Sequence, residues 1–376
     1  SNGAAGPNVS ITLSCPGATV TNSPQPANHA TNAVFTVTGF ANTAVTCNAS
    51  EGAVPAGYNS PSSGNCSATI AVATCTITNN LNSNTFTVDK NYSNGAAGPN
   101  LSIKLSCTDG TVTNSPQPAN HSTNAVFTVT GAVNAATSNC TASEGTVPTG
   151  YNSPSSGNCA ATLAAATCTI TNNLNTATVD VAKDFIPNNA ADVTVSLTCT
   201  SGTVANDDTG ASELDPANFT ITGFTAGATC TATESPVPTG YSVTYSAGCT
   251  NMALTHGANT ATCTITNTRN DATLTVNKNY TPDVGPVVSI AVTCTSGTVV
   301  ATPLSANEGS PAVFTIQGIS AGTTCTATET VPGGYGADQT GCLTVALVIG
   351  GNVPCTIVNT LNANMFTVDK NYSNGA

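Results

Sequence analysis

The sequence predicts an all-β chain, a tandem array of four small β-sandwiches, on three observations. Apolar residues alternate at period two along short runs rich in Val, Ile, Thr and Phe, and no run keeps a helical period. The same string of runs returns at spacings of 92 to 95 residues, measured between Lys90, Lys183, Lys278 and Lys370, too long for a solenoid repeat and right for a sandwich. The 16 cysteines fall four to a repeat, which suits a small core supplemented by disulfides.

The expected boundaries are 1–84, 85–176, 177–271 and 272–364, with 365–376 as the first strand of a further repeat. Repeat 2 serves as the example. Its expected strands are Phe86–Asn91, Leu101–Cys107, Thr111–Asn114, Ala125–Thr130, Asn139–Glu144, Tyr151–Cys159 and Ala166–Asn172. Between them lie Asn-Gly, Gly-Pro and Pro-rich turns such as Ser115–Pro118, and each repeat has a Pro-x-Gly-Tyr turn at Pro55, Pro148, Pro238 or Pro332. The links at Asn80–Thr85 and Thr268–Asp271 are short, which favours a stiff array.

Strand phase marks the unusual positions. Cys47, Ala49 and Glu51 share one face of their strand, as do Cys140, Ala142 and Glu144, Cys230, Ala232 and Glu234, and Cys325, Ala327 and Glu329. Each apolar face therefore ends in an acid. By the same phase Lys90 follows Phe86 and Val88, Lys183 follows Val179 and Val181, Lys278 follows Leu274 and Val276, and Lys370 follows Phe366 and Val368. Asn79, Asn172, Asn267 and Asn359 likewise follow an in-phase Cys and Ile: Cys75 and Ile77, Cys168 and Ile170, Cys263 and Ile265, Cys355 and Ile357. An inward ammonium or carboxylate costs several kcal/mol unless paired or neutralised, so the three groups are expected to meet inside each repeat.

Composition narrows the function. Six Lys+Arg face 18 Asp+Glu, for a net charge of −12, and a chain with so few cations is a poor binder of nucleic-acid phosphate. Four of the five lysines are the in-phase residues; Lys104 alone is out of phase. His29, His121 and His256 have no second ligand at metal spacing and read as solvated loop residues, and no metal or cofactor is expected. Asp207, Asp208, Glu213 and Asp215 lack calcium-loop spacing and read as a solvated loop. Tyr58, Tyr151, Tyr241 and Tyr335, one after each Pro-x-Gly turn, read as core or corner residues. Sequons such as Asn8, Asn48, Asn91 and Asn218 permit glycosylation without indicating it.

Regular cysteines without paired C-x-x-C motifs read as disulfides in an oxidising compartment. Phase favours joining the first cysteine of each repeat to the second and the third to the fourth: Cys15–Cys47, Cys66–Cys75, Cys107–Cys140, Cys159–Cys168, Cys199–Cys230, Cys249–Cys263, Cys294–Cys325 and Cys342–Cys355. Other connectivities remain open. No signal peptide and no membrane-length apolar run is visible, so a secreted mature chain, or a window from a longer one, is expected.

The string F-x-[IV]-x-G, C-x-A-x-E, V-P-x-G-Y and C-T-I-x-N, preceded by a V-x-K strand, resembles the prealbumin-like (transthyretin-like, Ig-like) CnaB repeats of collagen adhesins and Gram-positive pilins, over essentially the whole chain. The resemblance implies a spontaneous isopeptide bond between a first-strand lysine and a last-strand asparagine, assisted by a glutamate. Carried onto this sequence, that means Lys90, Glu144 and Asn172; Lys183, Glu234 and Asn267; and Lys278, Glu329 and Asn359. The chemistry needs a neutral amine, which desolvation favours, and a protonated glutamate to shuttle protons. Departures are the cysteine-rich strands, a residue fewer between Glu329 and Tyr335, and an extra residue that shifts the Val181–Lys183 segment.

Repeat 1 holds Glu51 and Asn79 without a V-x-K strand before them, whereas Phe366–Ala376 repeats Phe86–Ala96 letter for letter and its last four residues match Ser1–Ala4. The sequence thus closes on itself after 372 residues. The expected partner is a second copy, head to tail, with Lys370 of one unit reaching Glu51 and Asn79 of the next, either as a strand donated between separate chains or because the sequence is a window cut from one longer tandem polypeptide. The expected function is a structural subunit of an extracellular filament or surface stalk, not an enzyme on external substrates. The alternative is an adhesin repeat region in which loops such as Asn22–Asn32 bind a ligand.

Overall fold

The computed structural model describes residues 6–95, 98–206 and 208–373, so Ser1–Ala4 and Asp207 lie outside the described residues. The chain forms two compact units, residues 1–175 and 176–376. Within each unit the strands form successive β-sandwiches, and the only helices among the described residues are two single 3₁₀ turns. No helix there is long and apolar enough to cross a membrane.

In the first unit, repeat 2 is a complete sandwich. One sheet has five strands in the order Thr111–Val112, Ala125–Thr130, Ser83–Tyr92, Thr167–Leu174, Tyr151–Asn152. The other has four, in the order Gln117–Ala119, Leu101–Cys107, Asn139–Glu144, Asn158–Thr162. Ser83–Tyr92 lies centrally, antiparallel to Ala125–Thr130 and parallel to Thr167–Leu174. A central strand with an inward face alternates strictly, and Phe86, Val88, Lys90 and Tyr92 are buried while Asp89 is exposed.

Two readings of the strands need correction. Pro118 sits in a short strand, Gln117–Ala119, because that strand is at a sheet edge, where a missing N–H is tolerated. The single strand expected over Tyr151–Cys159 is two, Tyr151–Asn152 and Asn158–Thr162, which belong to opposite sheets. Between them the chain turns at Ser156 and Gly157, both at positive φ, and crosses from one layer to the other.

Repeat 1, in the same unit, keeps the four-stranded sheet, Gln25–Ala27, Val9–Ser14, Thr46–Glu51, Asn65–Thr69. Its other layer is only two separate pairs, Thr19–Thr21 with Thr36–Thr38 and Tyr58–Asn59 with Asn80–Leu81. Between these pairs lies a cleft of about 1000 Å³, lined by Ile11, Phe35, Ala49, Glu51, Ile77 and Asn79 among others. Each of the other three repeats has its own cluster of buried apolar residues. None of these clusters includes a residue of repeat 1.

The second unit holds repeats 3 and 4, each a five-stranded sheet packed on a four-stranded one. Their central strands, Thr176–Ile186 and Asp271–Thr281, again run parallel to the last strand of the repeat. The extra residue expected to shift the Val181–Lys183 segment lies instead on the partner strand: Val179 faces Thr260 and Val181 faces Cys263, while Thr176–Ile186 alternates strictly and Lys183 faces inward. Residues 362–372 form no strand, and Phe366 is 91% exposed where Phe86 is fully buried.

Every cysteine is bonded, first to second and third to fourth in each repeat: Cys15–Cys47, Cys66–Cys75, Cys107–Cys140, Cys159–Cys168, Cys199–Cys230, Cys249–Cys263, Cys294–Cys325 and Cys342–Cys355. Cys107 and Cys140 face each other directly across adjacent strands, as do Cys199 and Cys230, and Cys294 and Cys325.

Candidate functional site

Three strands converge on one buried polar cluster in each complete repeat. The lysine comes from the central strand and the asparagine from its parallel neighbour, while the glutamate comes from the facing sheet and points across the core. In repeat 2, Lys90 Nζ lies 3.4 Å from Glu144 Oε2, to which Asn172 Nδ2 also donates at 3.1 Å. In repeat 3, Lys183 Nζ is 3.7 Å from Glu234 Oε2, and Asn267 Nδ2 donates to Glu234 Oε1 at 2.6 Å. In repeat 4, Lys278 Nζ is 3.7 Å from Glu329 Oε2, with Asn359 fully buried in the same core.

The ammonium nitrogens are held in similar ways. Each lysine donates to two backbone carbonyls, Asn91 and Ile170, Asp184 and Ile265, or Asn279 and Ile357. Each also lies over an aromatic ring two residues on, Tyr92, Phe185 or Tyr280, at 4.0 to 4.4 Å from the centroid. Burial pulls the pKa of all three below the ordinary lysine value, against the smaller opposing pull of the facing glutamate. The neutral amine is thereby favoured, the form that can act as a nucleophile. The same burial, reinforced by Glu144, pushes the Tyr92 phenol up to about 12.

Two of the asparagines are held by one end, whereas Asn359 makes no hydrogen bond to Glu329. Through Nδ2, Asn172 and Asn267 donate to the glutamate, while their amide oxygens have no partner. An acyl carbon fixed beside a carboxyl and a desolvated amine is an arrangement suited to amide exchange, in which the amine displaces ammonia. In repeat 1, Asn79 Nδ2 donates to Glu51 Oε2 at 2.7 Å, so two of the three groups are already engaged without a lysine. Lys370 lies elsewhere, exposed, with its Nζ over the Tyr372 ring at 4.6 Å.

Several supporting residues escaped the sequence reading. Gly157 packs against the Glu144 side chain where a β-carbon would collide, and Gly64 does the same for Glu51. In repeats 3 and 4 the glutamate N–H is instead received by the Tyr245 hydroxyl or the Gln339 amide oxygen. The residue two beyond each lysine donates its N–H to a side chain from a neighbouring loop: Tyr92 to His121 Nδ1, Phe185 to Glu213 Oε1, Tyr280 to Glu308 Oε1. His121 and Glu213 are therefore acceptors that fix the end of the lysine strand rather than free loop residues, and His256 similarly accepts from Thr176 N–H. Equivalent loop positions shared by His and Glu were the available signal, since both accept a hydrogen bond.

Tyr151, Tyr241 and Tyr335 stack edge-on against Tyr92, Phe185 and Tyr280, so the Pro-x-Gly-Tyr turn closes the end of the cluster. Among the described residues no group of three or more His, Cys, Asp and Glu could hold a metal ion.

No family model and no curated protein matches the sequence. Solved structures do. A Bacillus anthracis TIE protein is 11% identical over 94% of this chain and 69% of its own, with a TM-score of 0.40. Two B repeat units of the collagen binding protein of Staphylococcus aureus are 16% identical over 94% of both chains, at 0.22. A pilus adhesin from Lactobacillus rhamnosus GG is 13% identical over 96% of this chain and 56% of its own, at 0.31. Such TM-scores carry no functional argument. The chain's own sheets form β-sandwiches in tandem.

Proposed function

We propose that the chain is a structural unit of an extracellular filament or surface stalk, in which units join head to tail, as separate chains or as successive stretches of one longer polypeptide. One observation carries this reading: repeat 1 has an apolar cleft where its siblings hold a central strand, and the same chain exposes a segment, Phe366–Tyr372, identical to Phe86–Tyr92 of that strand in repeat 2. Residues 366–372 of one unit enter the cleft of the next. By equivalence with repeat 2, where Phe86 pairs with Phe127 and Lys90 with Ile170, Phe366 is set against Phe35 and Lys370 against Ile77. Phe366 and Val368, 91% and 74% exposed, then become core, a gain of about 1.5–3 kcal/mol for each side chain. The transferred strand pairs on both of its sides, so the two inner edges that face the cleft are covered.

The buried clusters supply the mechanical element. In the proposed reaction the neutral lysine amine attacks the asparagine side-chain carbonyl, the Cγ–Nδ2 bond breaks, ammonia leaves, and the glutamate carries a proton from the amine to the leaving group. Within repeats 2, 3 and 4 the product ties first strand to last. At the joint, Lys370 of one unit and Asn79 of the next would close the same bond. Eight disulfides fit an oxidising, extracellular location.

Imaging the purified chain tests the proposal. Filaments are expected from the unmodified protein and not from Val368→Asp, whose altered side chain lies in solvent in the isolated unit. Monodisperse single units at high concentration, or filaments unaffected by that substitution, would overturn it.

A further inference from the structure

Two junctions between successive repeats share one design, and repeat 4 carries half of a third. Between repeats 1 and 2 a single residue, Asn82, separates the Asn80–Leu81 and Ser83–Tyr92 strands. Its N–H donates to Gly57 O at 2.8 Å, its Nδ2 donates to Ala132 O at 2.9 Å, and its own carbonyl accepts from Gly131 N–H at 2.8 Å. Gly57, in the Pro-x-Gly-Tyr turn at φ +83°, approaches Gly131 so closely that a β-carbon would strike the Gly131 carbonyl. Between repeats 3 and 4, Asn270 N–H donates to Gly240 O and Ile319 N–H donates to Asn270 O, both at 2.8 Å. Gly240 lies against Gly318 in the same way, and Ile319 is fully buried.

At the end of repeat 4, Asn362 N–H already donates to Gly334 O at 2.8 Å, in the same Pro-x-Gly-Tyr turn. Here Gly334, at φ +89°, has open space where a β-carbon would stand, and Leu361 is 45% exposed. The complementary half lies in repeat 1. Gly39, placed after its strand as Gly131 and Gly318 are after theirs, also faces open space, and Phe40 is 38% exposed where Ala132 and Ile319 are buried.

Resting on the head-to-tail reading, we infer that Asn362 and the Gly334 turn of one unit clamp the Gly39–Phe40 loop of the next, forming a joint of the same kind as those inside the chain. The partner surface is thus a second copy of this chain. Strand transfer supplies attachment; the clamp supplies direction, by fixing the asparagine backbone between two carbonyl-to-amide bonds. A one-residue link held on both sides leaves no length for a hinge.

The test uses one polypeptide of two units, residues 1–372 followed by 1–376, so that the joint is present whether or not separate chains assemble. Single-particle images give the spread of angles at the joint, and hydrogen exchange of the second unit's Ile77 amide reports strand transfer. The expected result is a protected amide with a narrow angular spread, broadened by Gly334→Ala in the first unit. Gly322→Ala, which imposes a similar positive-φ strain in open space away from the joint, is expected to leave the spread unchanged. A protected amide with a broad spread, or a spread indifferent to Gly334→Ala, would overturn the clamp alone. An unprotected amide would overturn the strand transfer and the clamp with it.

Discussion

Asn267 donates through Nδ2 to Glu234 Oε1 over 2.6 Å, while its amide oxygen, equally buried, has no partner. An unsatisfied buried acceptor costs about 1–3 kcal/mol; amide exchange with the lysine would keep this oxygen and remove instead the buried free amine, joining it to Cγ as Nδ2 leaves in ammonia. Intact mass of the reduced protein is expected to fall short of the sequence mass by one ammonia for each closed repeat. Glu234→Ala should restore one ammonia and leave the other repeats closed. A mass equal to the sequence in the unmodified protein would reduce the clusters to hydrogen bonds.

Lysine burial makes a signed prediction about pH in a repeat that cannot close, such as Asn172→Ala. Desolvation lowers the folded-state pKa of Lys90 below its unfolded value of 10.5. Below the folded value both states hold the proton and the burial penalty is complete. Between the two values the unfolded chain binds more protons, so stability rises with pH and levels off above 10.5. Urea denaturation across this range should show the rise in Asn172→Ala and a flatter profile once Lys90→Met is added. Parallel profiles would mean that Lys90 is not the group responsible.

Disulfide removal should hurt unequally. Cys107 and Cys140 close 33 residues and Cys159 and Cys168 only 9. Chain-entropy estimates give losses of about 3.7 and 2.6 kcal/mol, respectively, when each pair is replaced by alanine. Non-reducing peptide mapping should recover only links within repeats; a Cys75–Cys107 peptide would contradict the pairing.

A synthetic peptide of residues 366–372 should act in trans. Added in excess, it is expected to slow hydrogen exchange around Phe35 and Ile77 and to shorten filaments by capping repeat 1. The same peptide with Lys370→Ala should still dock but be released by boiling denaturant, whereas the native peptide should stay attached through Asn79. Equal release of both would confine the joint to non-covalent pairing.

Much of the candidate site was legible before any fold was known, because side chains in a strand alternate by geometry alone. Once Phe86 and Val88 face inward, so does Lys90; the same rule carries Glu144 and Asn172. Pairing of Cys107 with Cys140 was favoured on the same ground. Phase says nothing about which strands are neighbours. Parallel pairing of Ser83–Tyr92 with Thr167–Leu174, the acceptor roles of His121 and Glu213, and the crossing at Gly157 all depend on contacts between distant segments.

Repeat 1 shows the division most clearly. Its sequence through residues 33–38 and 75–79 is identical to that of repeat 2 at 125–130 and 168–172, with Phe35 in the place of Phe127 and Ile77 in that of Ile170. In repeat 2 both stretches are strand, yet in repeat 1 residues 73–79 are not and only Thr36–Thr38 pairs, with the opposite edge. The inward-facing pattern was determined by the residues themselves. Whether it became a sheet was decided by tertiary structure, because a strand's hydrogen bonds and apolar face are satisfied only when a neighbour lies beside them.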